Sequence, residues 1–571
     1  MKKLRLGNSD FKSIIESNAY FVDKSLLIEE VINLQSDIIL FPRPRRFGKT
    51  LNLSMLRYFF DKSMPENKEL FKDLKIWQSG SEIKEHCCKY PVIYMSFKDA
   101  KADTWEKSLF HIKAEISKLY KNYRYLLDSN LLYEDEKRYI EDIISEKASE
   151  VAYEISVKQL SEYLYRYHKQ KVVILIDEYD APIQSGYKNY YNQVISFMRN
   201  LLSGAFKDNS YLFKGVITGI LRVSKESIFS GLNNLSVYSI LNSKFADKFG
   251  FTEEEVFQAV KDFKVATDFE QIRKWYNGYK FGKTEGIYNP WSVLSYILQP
   301  EEGFLPYWTN TSSNDLIRQQ ISKKEAALIR GDILKLINGE VLVKDIEENF
   351  VFSDLETPKE VLWTLLLYSG YLTVKEKISR KQYELKIPNY ELKTVFQDTV
   401  IDWFQTEVKV VKSLLEQTIR NLLNGNLTEF EEGFKEIIGD TFSYYDTVKK
   451  NEYIYQSYLL GLLAIIGDDY IIKSNKESGE GRYDIMLIPH DKTKNGVVIE
   501  IKQIEKQKDN ESDFDFAKRI NTYLQAAQNQ IERNKYYKEL IDNKIDKNNI
   551  VTLPIVFAGK EPYINLVKEE D

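Results

Sequence analysis

Cysteine is almost absent from this 571-residue chain, and the two that occur, Cys87 and Cys88, are adjacent. A disulfide framework is therefore excluded, and the four scattered histidines (His86, His111, His168 and His490) offer no zinc-ligand spacing. Long apolar runs are missing as well. The longest, YLLGLLAIIG at 458–467, is far below the roughly 20 residues of a membrane span. The start, MKKLRLGNSDF, carries two lysines but no apolar stretch of the kind that directs export. A reduced, cytoplasmic setting without a membrane partner is the expectation. Positive charge is not in excess either: the formal net charge of −5 excludes a molecule whose whole surface coats nucleic acid, so any such site must be local.

What is present is globular composition, with 43% hydrophobic and 29% charged residues, enough apolar content to fold. The length exceeds one ordinary core. Three regions are expected, at 1–250, 251–440 and 441–571. In the first, the runs SDIILF (36–41), PVIYMSF (91–97), KVVILID (171–177) and LFKGVITG (212–219) read as buried strands separated by long helical stretches. That pattern indicates an α/β fold with a parallel sheet covered by helices on both faces. The charged, tyrosine-rich stretch at 101–170 reads as helical cover or an insertion. In FTEEEVFQAVKDF, Thr252 and Glu255 have capping-box spacing at the start of a helix, and mostly helical text continues to about 435. The last region reads as a helix, two strands, a charged linker, a helix and the strand VTLPIVFAG.

The first strand is followed by PRPRRFGKT and the amphipathic LNLSMLRYFF, so strand, loop and helix stand in the order a phosphate needs. Backbone N–H groups from Gly48 onward would face the anion, Lys49 would reach its terminal oxygens and the Thr50 hydroxyl would hold Mg. Arg43, Arg45 and Arg46 would add positive charge. Arg43 stands where the full phosphate-loop pattern has its first glycine. FGKT recurs at 281–284 inside NGYKFGKTEGIYNP, where no strand precedes it, and that copy reads as a turn or hairpin. Context favours the first copy. It has a partner in KVVILIDEYD, whose strand ends in Asp177, placed to bind Mg, and Glu178, placed to polarise an attacking water. The alternative is a strand end whose acids cap the next helix. Thr218 and Arg222 in VITGILRVS are candidates for sensing the terminal phosphate, although Arg222 reads equally as a surface arginine. Hydrolysis would need such a charge from a neighbouring element or subunit, and a homo-oligomer could supply it.

In GVVIEIK (496–502), Val498, Glu500 and Lys502 share one face of a strand and Val497, Ile499 and Ile501 the other. If RYDIMLIP pairs with it through HDKTKN in a register centred near Lys492, Asp484 lies across from Glu500, with Cβ atoms roughly 5 Å apart. Two carboxylates that close repel unless a cation joins them. With oxygen ligands and neither histidine nor cysteine, Mg is the natural occupant, with Mn as a substitute. Lys502 would orient the nucleophile or neutralise charge on a phosphodiester. On this reading one strand face is core and the other active site. The alternative is a surface hairpin with a Glu–Lys pair.

The D…ExK pattern resembles the PD-(D/E)xK nuclease superfamily, although Tyr483 stands where the superfamily's name has proline. The resemblance extends to Glu452, matching an acidic residue on the superfamily's first helix, and to Gln530, matching a polar residue on a later helix. It implies metal binding by Asp484, Glu500 and Ile501. Together with RPRRFGKT, VVILIDEYDAPI, TGILRVS, SIFSGLNNLSVYS, WYNGYKFG and IYNPWSVL, the chain resembles bacterial proteins that join an N-terminal AAA-ATPase-like domain to a C-terminal nuclease-like domain. The resemblance implies a P-loop parallel-sheet ATPase, a helical middle region and a restriction-endonuclease-like α/β core. The function expected is Mg-dependent cleavage of DNA or RNA, coupled to ATP bound by Arg46, Gly48, Lys49, Thr50, Asp177 and Arg222, with Mg at Thr50 and Asp177. A nucleotide-sensing module that recruits a partner, or a scaffold that has lost cleavage, are the alternatives.

Overall fold

The computed structural model describes all residues except 1, 223–227, 230–233, 309–326, 349–360, 408–411, 442–451, 464–465, 467–468, 475–476, 479–480, 509, 560 and 567–571. The chain divides into two compact units, one of residues 1–312 and 343–391, the other of residues 313–342 and 392–571. Residues 251–440, read from sequence as one helical region, thus contribute to both.

The first unit is built on a five-stranded parallel sheet. Its strands are β1 (Ile38–Pro42), β2 (Val92–Ser96), β3 (Val172–Asp177), β4 (Leu212–Gly219) and β5 (Leu235–Val237), in the spatial order β2-β3-β4-β1-β5. β1 and β3 are buried at every position because helices flank a parallel sheet, which is why both read as unbroken apolar runs. β4 lies between β1 and β3, so the ends of the phosphate-loop strand and the acidic strand flank Thr218. The capping box forms as its spacing predicts: Glu255 Oε2 accepts from the Thr252 N–H at 2.8 Å, and Thr252 Oγ1 accepts from the Glu255 N–H. The second FGKT forms a hairpin of β6 (Tyr279–Phe281) and β7 (Thr284–Ile287), with Gly282 at φ +55° in the turn. A three-stranded antiparallel sheet, β8 (Leu342–Asp345), β9 (Thr373–Lys377) and β10 (Gln382–Lys386), follows in the order β8-β10-β9.

The second unit carries a mixed sheet of β11 (Tyr470–Ser474), β14 (Ile485–Pro489), β15 (Gly496–Ile504), β16 (Ile550–Ala558) and β17 (Glu561–Tyr563), in that spatial order. The two-residue strands β12 (Glu477–Ser478) and β13 (Gly481–Arg482) pair beside it. β14 and β15 are antiparallel, whereas β15 and β16 are parallel and joined through the helix Asp513–Arg533. Helices cover both faces of β15 and β16. Tyr455 and Phe434 bring ring contacts to Phe557 on one face, while Ile520, Leu524 and Ile531 of the helix Asp513–Arg533 pack on the other. No helix among the described residues is long and apolar enough to cross a membrane.

Candidate functional site

The loop after β1 leads directly into the helix Lys49–Phe60, with Gly48 at φ +83° as its first flanking residue. A Cβ at Gly48 would meet nothing within 4 Å, so the left-handed backbone rather than space calls for glycine. Lys49 is buried and donates to the carbonyls of Arg43 at 3.0 Å and Pro44 at 2.8 Å, which curls the loop around its ammonium group. Burial lowers its pKa, opposed by the charges of Glu178 and Asp177. Thr50 Oγ1 donates to Asp177 Oδ2 at 2.7 Å, and Thr218 Oγ1 donates to Oδ1 of the same carboxylate. Burial raises the Asp177 pKa, with these two hydroxyls opposing it. The sequence-predicted Lys49, Thr50, Asp177 and Thr218 are therefore brought together. Glu178 takes φ +48°, a left-handed conformation that costs a non-glycine residue roughly 1 kcal/mol and turns the chain sharply after β3.

The arginines of the loop divide. Arg43 was expected to add charge for a phosphate, but its side chain is fully buried. It donates to the carbonyls of Pro42 (3.0 Å) and Tyr238 (2.6 Å) and stacks on Phe249 at 4.8 Å. Desolvation pulls its pKa down to about 9. The side chain therefore fills the interior. Arg46, at φ +68°, lies over the Trp291 ring at 4.0 Å and is exposed to the field of Glu178. Arg222 is half-buried, and its charge acts on Tyr368 of the helix Val361–Ser369. Asp180, which sequence reasoning did not single out, accepts from the N–H groups of Ile220 (2.9 Å) and Leu221 (3.0 Å). It fastens the turn that carries Arg222, and its only sequence signal was its place in the DEYD run.

The second FGKT supports the first. Phe47 packs against Tyr279 at 4.9 Å and Phe281 at 5.4 Å, and Phe281 also lies under Arg43. Gly370, at φ +93°, lets its backbone approach the loop so closely that a Cβ would stand 2.9 Å from Pro44 Cβ. A chain of contacts also starts at Glu391. Its buried carboxyl accepts from Ser292 Oγ and, at 2.7 Å, from the Trp308 N–H, while the Trp308 indole donates to the Arg45 carbonyl. Desolvation pushes the Glu391 pKa up to about 8.

In the second unit, β14 and β15 pair Ile485 with Ile499, Met486 with Val498 and Leu487 with Val497. Asp484 lies in a bend just before β14, one residue beyond the last of these pairs. Asp484 Oδ2 accepts from the Ile501 N–H at 2.7 Å, so its carboxylate caps the point where the ladder opens. Glu500 is 2% exposed, and Oε1 accepts from Lys502 Nζ at 2.8 Å. The face that carries them, read from the alternation as the active-site face, is largely covered. The helix Asp513–Arg533 packs on it at both ends, through Ile520 and Leu524 near Ile504 and through Ile531 near Val498. Glu500 and Lys502 occupy the polar gap between those two apolar clusters.

Gln456, missed in the sequence, donates from Nε2 to the Asp484 carbonyl at 2.7 Å. It lies one turn after Glu452 on the helix Glu452–Leu463, which places that helix beside Asp484; the Glu452 side chain lies outside the described residues. Gln530 donates to the Tyr536 hydroxyl at 3.1 Å, so its partner is an aromatic of the adjoining core rather than the acidic pair. Among the described residues no three His, Cys, Asp or Glu cluster so as to hold a metal ion. Any cation here would rest on two carboxylates supplemented by backbone oxygen and water, a donor set that suits Mg.

Residues 5–229 match the family described as predicted AAA-ATPase (AAA-ATPase-like), and residues 450–566 match the PD-(D/E)XK nuclease superfamily. The chain thus joins an AAA-ATPase-like domain to a PD-(D/E)XK nuclease superfamily domain, the architecture its motifs led us to expect. A protein of Azotobacter chroococcum mcd 1, named only as an uncharacterized protein in the vnfD 5' region, is 25% identical over 507 residues, 85% of this chain and 87% of its own. Among solved structures, a Walker-type ATPase of Pyrococcus abyssi aligns at 13% identity over 66% of this chain and 94% of its own, with a TM-score of 0.35. A DNA replication initiation factor aligns at 13% identity over 78% and 92%, with a TM-score of 0.25. At those scores neither alignment carries an argument.

Proposed function

We propose that the chain is a Mg-dependent nuclease for DNA or RNA whose N-terminal domain binds ATP and couples its nucleotide state to cleavage. The observation that carries this reading is the placement of Asp484, by the hydrogen bond it accepts from the Ile501 N–H, beside the paired Glu500 and Lys502 on either side of that residue. Asp484 and Glu500 would hold the metal, which supplies a Lewis acid for the phosphodiester. The Ile501 N–H and Gln456 fix Asp484 from two sides, so its carboxylate is oriented before substrate arrives. Lys502 keeps a positive charge beside the metal-binding carboxylate, where negative charge would develop on the phosphate oxygens. In the other domain, Lys49 and the helix N-terminus would hold the phosphates, Thr50 and Asp177 the Mg, and Glu178 would orient water.

A second reading, a nucleotide-sensing module that recruits a partner, is favoured by one observation: the phosphate loop carries an inward-wired Arg43 where such loops have glycine. Purified full-length protein with Mg or Mn, with and without ATP, against single- and double-stranded DNA and RNA separates the two. Metal-dependent cleavage of any of these substrates supports the nuclease. ATP binding without cleavage of any substrate supports the recruiting module.

A further inference from the structure

The described structure carries a surface for which the two sites have no use. The segments KLYKNYRY (118–125) and YRYHKQK (165–171) each hold three cations and no carboxylate, in a chain whose net charge is −5. They meet in space. The Tyr125 ring lies 5.1 Å from that of Tyr167 and 5.9 Å from that of His168, and the Tyr167 and His168 rings are 4.9 Å apart. Tyr125 is 36% exposed, Tyr165 38% and Tyr167 41%, high for aromatic rings packed in a folded unit. Tyr125 is also fixed in place, because its hydroxyl is hydrogen-bonded to His168 Nε2 at 2.7 Å. His168 is held neutral, with its pKa drawn down to about 4 by burial and by Lys62.

Topology tells where this surface lies. Lys171 immediately precedes β3 and Tyr211, whose ring contacts Tyr165 at 5.2 Å, immediately precedes β4. The cluster therefore stands at the amino-terminal edge of the parallel sheet, the length of a six-residue strand, about 20 Å, from Asp177 and the nucleotide loop. Arg166 is already paired with Glu136, but Lys121, Arg124, Lys169 and Lys171 are exposed and make no ion pair among the described residues. Asp61 is a carboxylate whose field reaches Tyr125.

On the reading that this chain handles nucleic acid, we infer that the exposed Tyr125–Tyr167 cluster with its flanking lysines and arginine is a binding platform for single-stranded nucleic acid. Exposed, pre-oriented rings offer faces and edges for unpaired bases, and unpaired cations beside them attract the phosphates. A duplex, whose bases are stacked on one another, would gain only the charge. Sequence preference is not expected, since the platform offers rings and cations rather than groups that read base edges.

The test uses the full-length Glu500→Gln chain in EDTA, so that cleavage does not intrude, with fluorescence anisotropy of labelled dT20, rU20 and a 20-base-pair DNA duplex. The parent should bind at least one single strand more tightly than the duplex. Tyr125→Ala with Tyr167→Ala should weaken that binding by roughly tenfold or more. The Tyr125→Phe, Tyr167→Phe pair, which keeps both rings but loses the hydrogen bond to His168, should bind more tightly than the Ala pair. Lys169→Gln with Lys171→Gln should lower the salt dependence of binding by roughly one to two charges. Equal affinity of the Ala pair and the parent, absence of single-strand binding by the parent, or duplex bound as tightly as single strand would overturn the platform. Failure of the nuclease reading looks different: wild-type protein would cleave nothing with Mg or Mn, while anisotropy still reported Tyr125- and Tyr167-dependent binding.

Discussion

Phe47 of the first FGKT and Phe281 of the second lie with ring centroids 5.4 Å apart, so the turn that repeats the phosphate-loop sequence forms part of the floor beneath that loop. Phe281 is 1% exposed. Phe281→Ala should destabilise the first unit by about 3–5 kcal/mol, the usual cost of emptying a buried phenylalanine site, read by chemical denaturation. Phe281→Leu, a smaller loss, should leave the unit folded but weaken ATP binding, because Phe47 and Arg43 both lose a neighbour. Unchanged ATP affinity in the Leu variant would show that the floor does not govern the loop.

Lys49→Ala should reduce ATP affinity roughly tenfold or more, since a charge-assisted hydrogen bond contributes about 1.5–3 kcal/mol. Titration calorimetry with ATP and Mg checks this. Thr50→Val removes the donor to Asp177 at nearly constant volume and should weaken Mg-ATP more than metal-free ATP. If Lys49→Ala binds ATP as the wild type does, the loop does not hold phosphate.

Glu391 gives a stability dependence on pH whose sign is fixed by the direction of its shift. Its folded pKa, about 8, lies above the ordinary carboxyl value. Between about pH 4.5 and 8 the folded state therefore holds a proton that the unfolded state has lost, and stability falls as pH rises through that window. Glu391→Gln, which can still accept from the Trp308 N–H, should remove this fall. The variant should match the wild type near pH 5 and exceed it in thermal stability at pH 8. Parallel curves for the two proteins would rule out the buried carboxyl as their cause.

Much of this organisation was legible because it rests on local periodicity. β1 to β4 are nearly continuous apolar runs, and burial on both faces of a parallel sheet, complete in β1 and β3, produces that text. The register of β14 on β15, with Ile485 opposite Ile499, followed from a symmetric turn and the two-residue period of strands. What stayed hidden depends on contacts between distant segments. Nothing near Arg43 says that Phe249 and Phe281 will enclose it, and nothing near Gln456 says that it will meet the Asp484 carbonyl. The helix cover over Glu500 is hidden for the opposite reason. Alternation along one strand assigns a residue to a face but does not say what packs on that face.

The most direct test of the central claim is single-turnover cleavage by the wild type and by Glu500→Gln and Asp484→Asn, each with Mg or Mn. These substitutions keep the acceptors used by Lys502 and the Ile501 N–H, so folding should be preserved. We predict metal-dependent cleavage by the wild type and a loss of roughly a hundredfold or more in both variants. Cleavage at the wild-type rate in either variant would contradict the account.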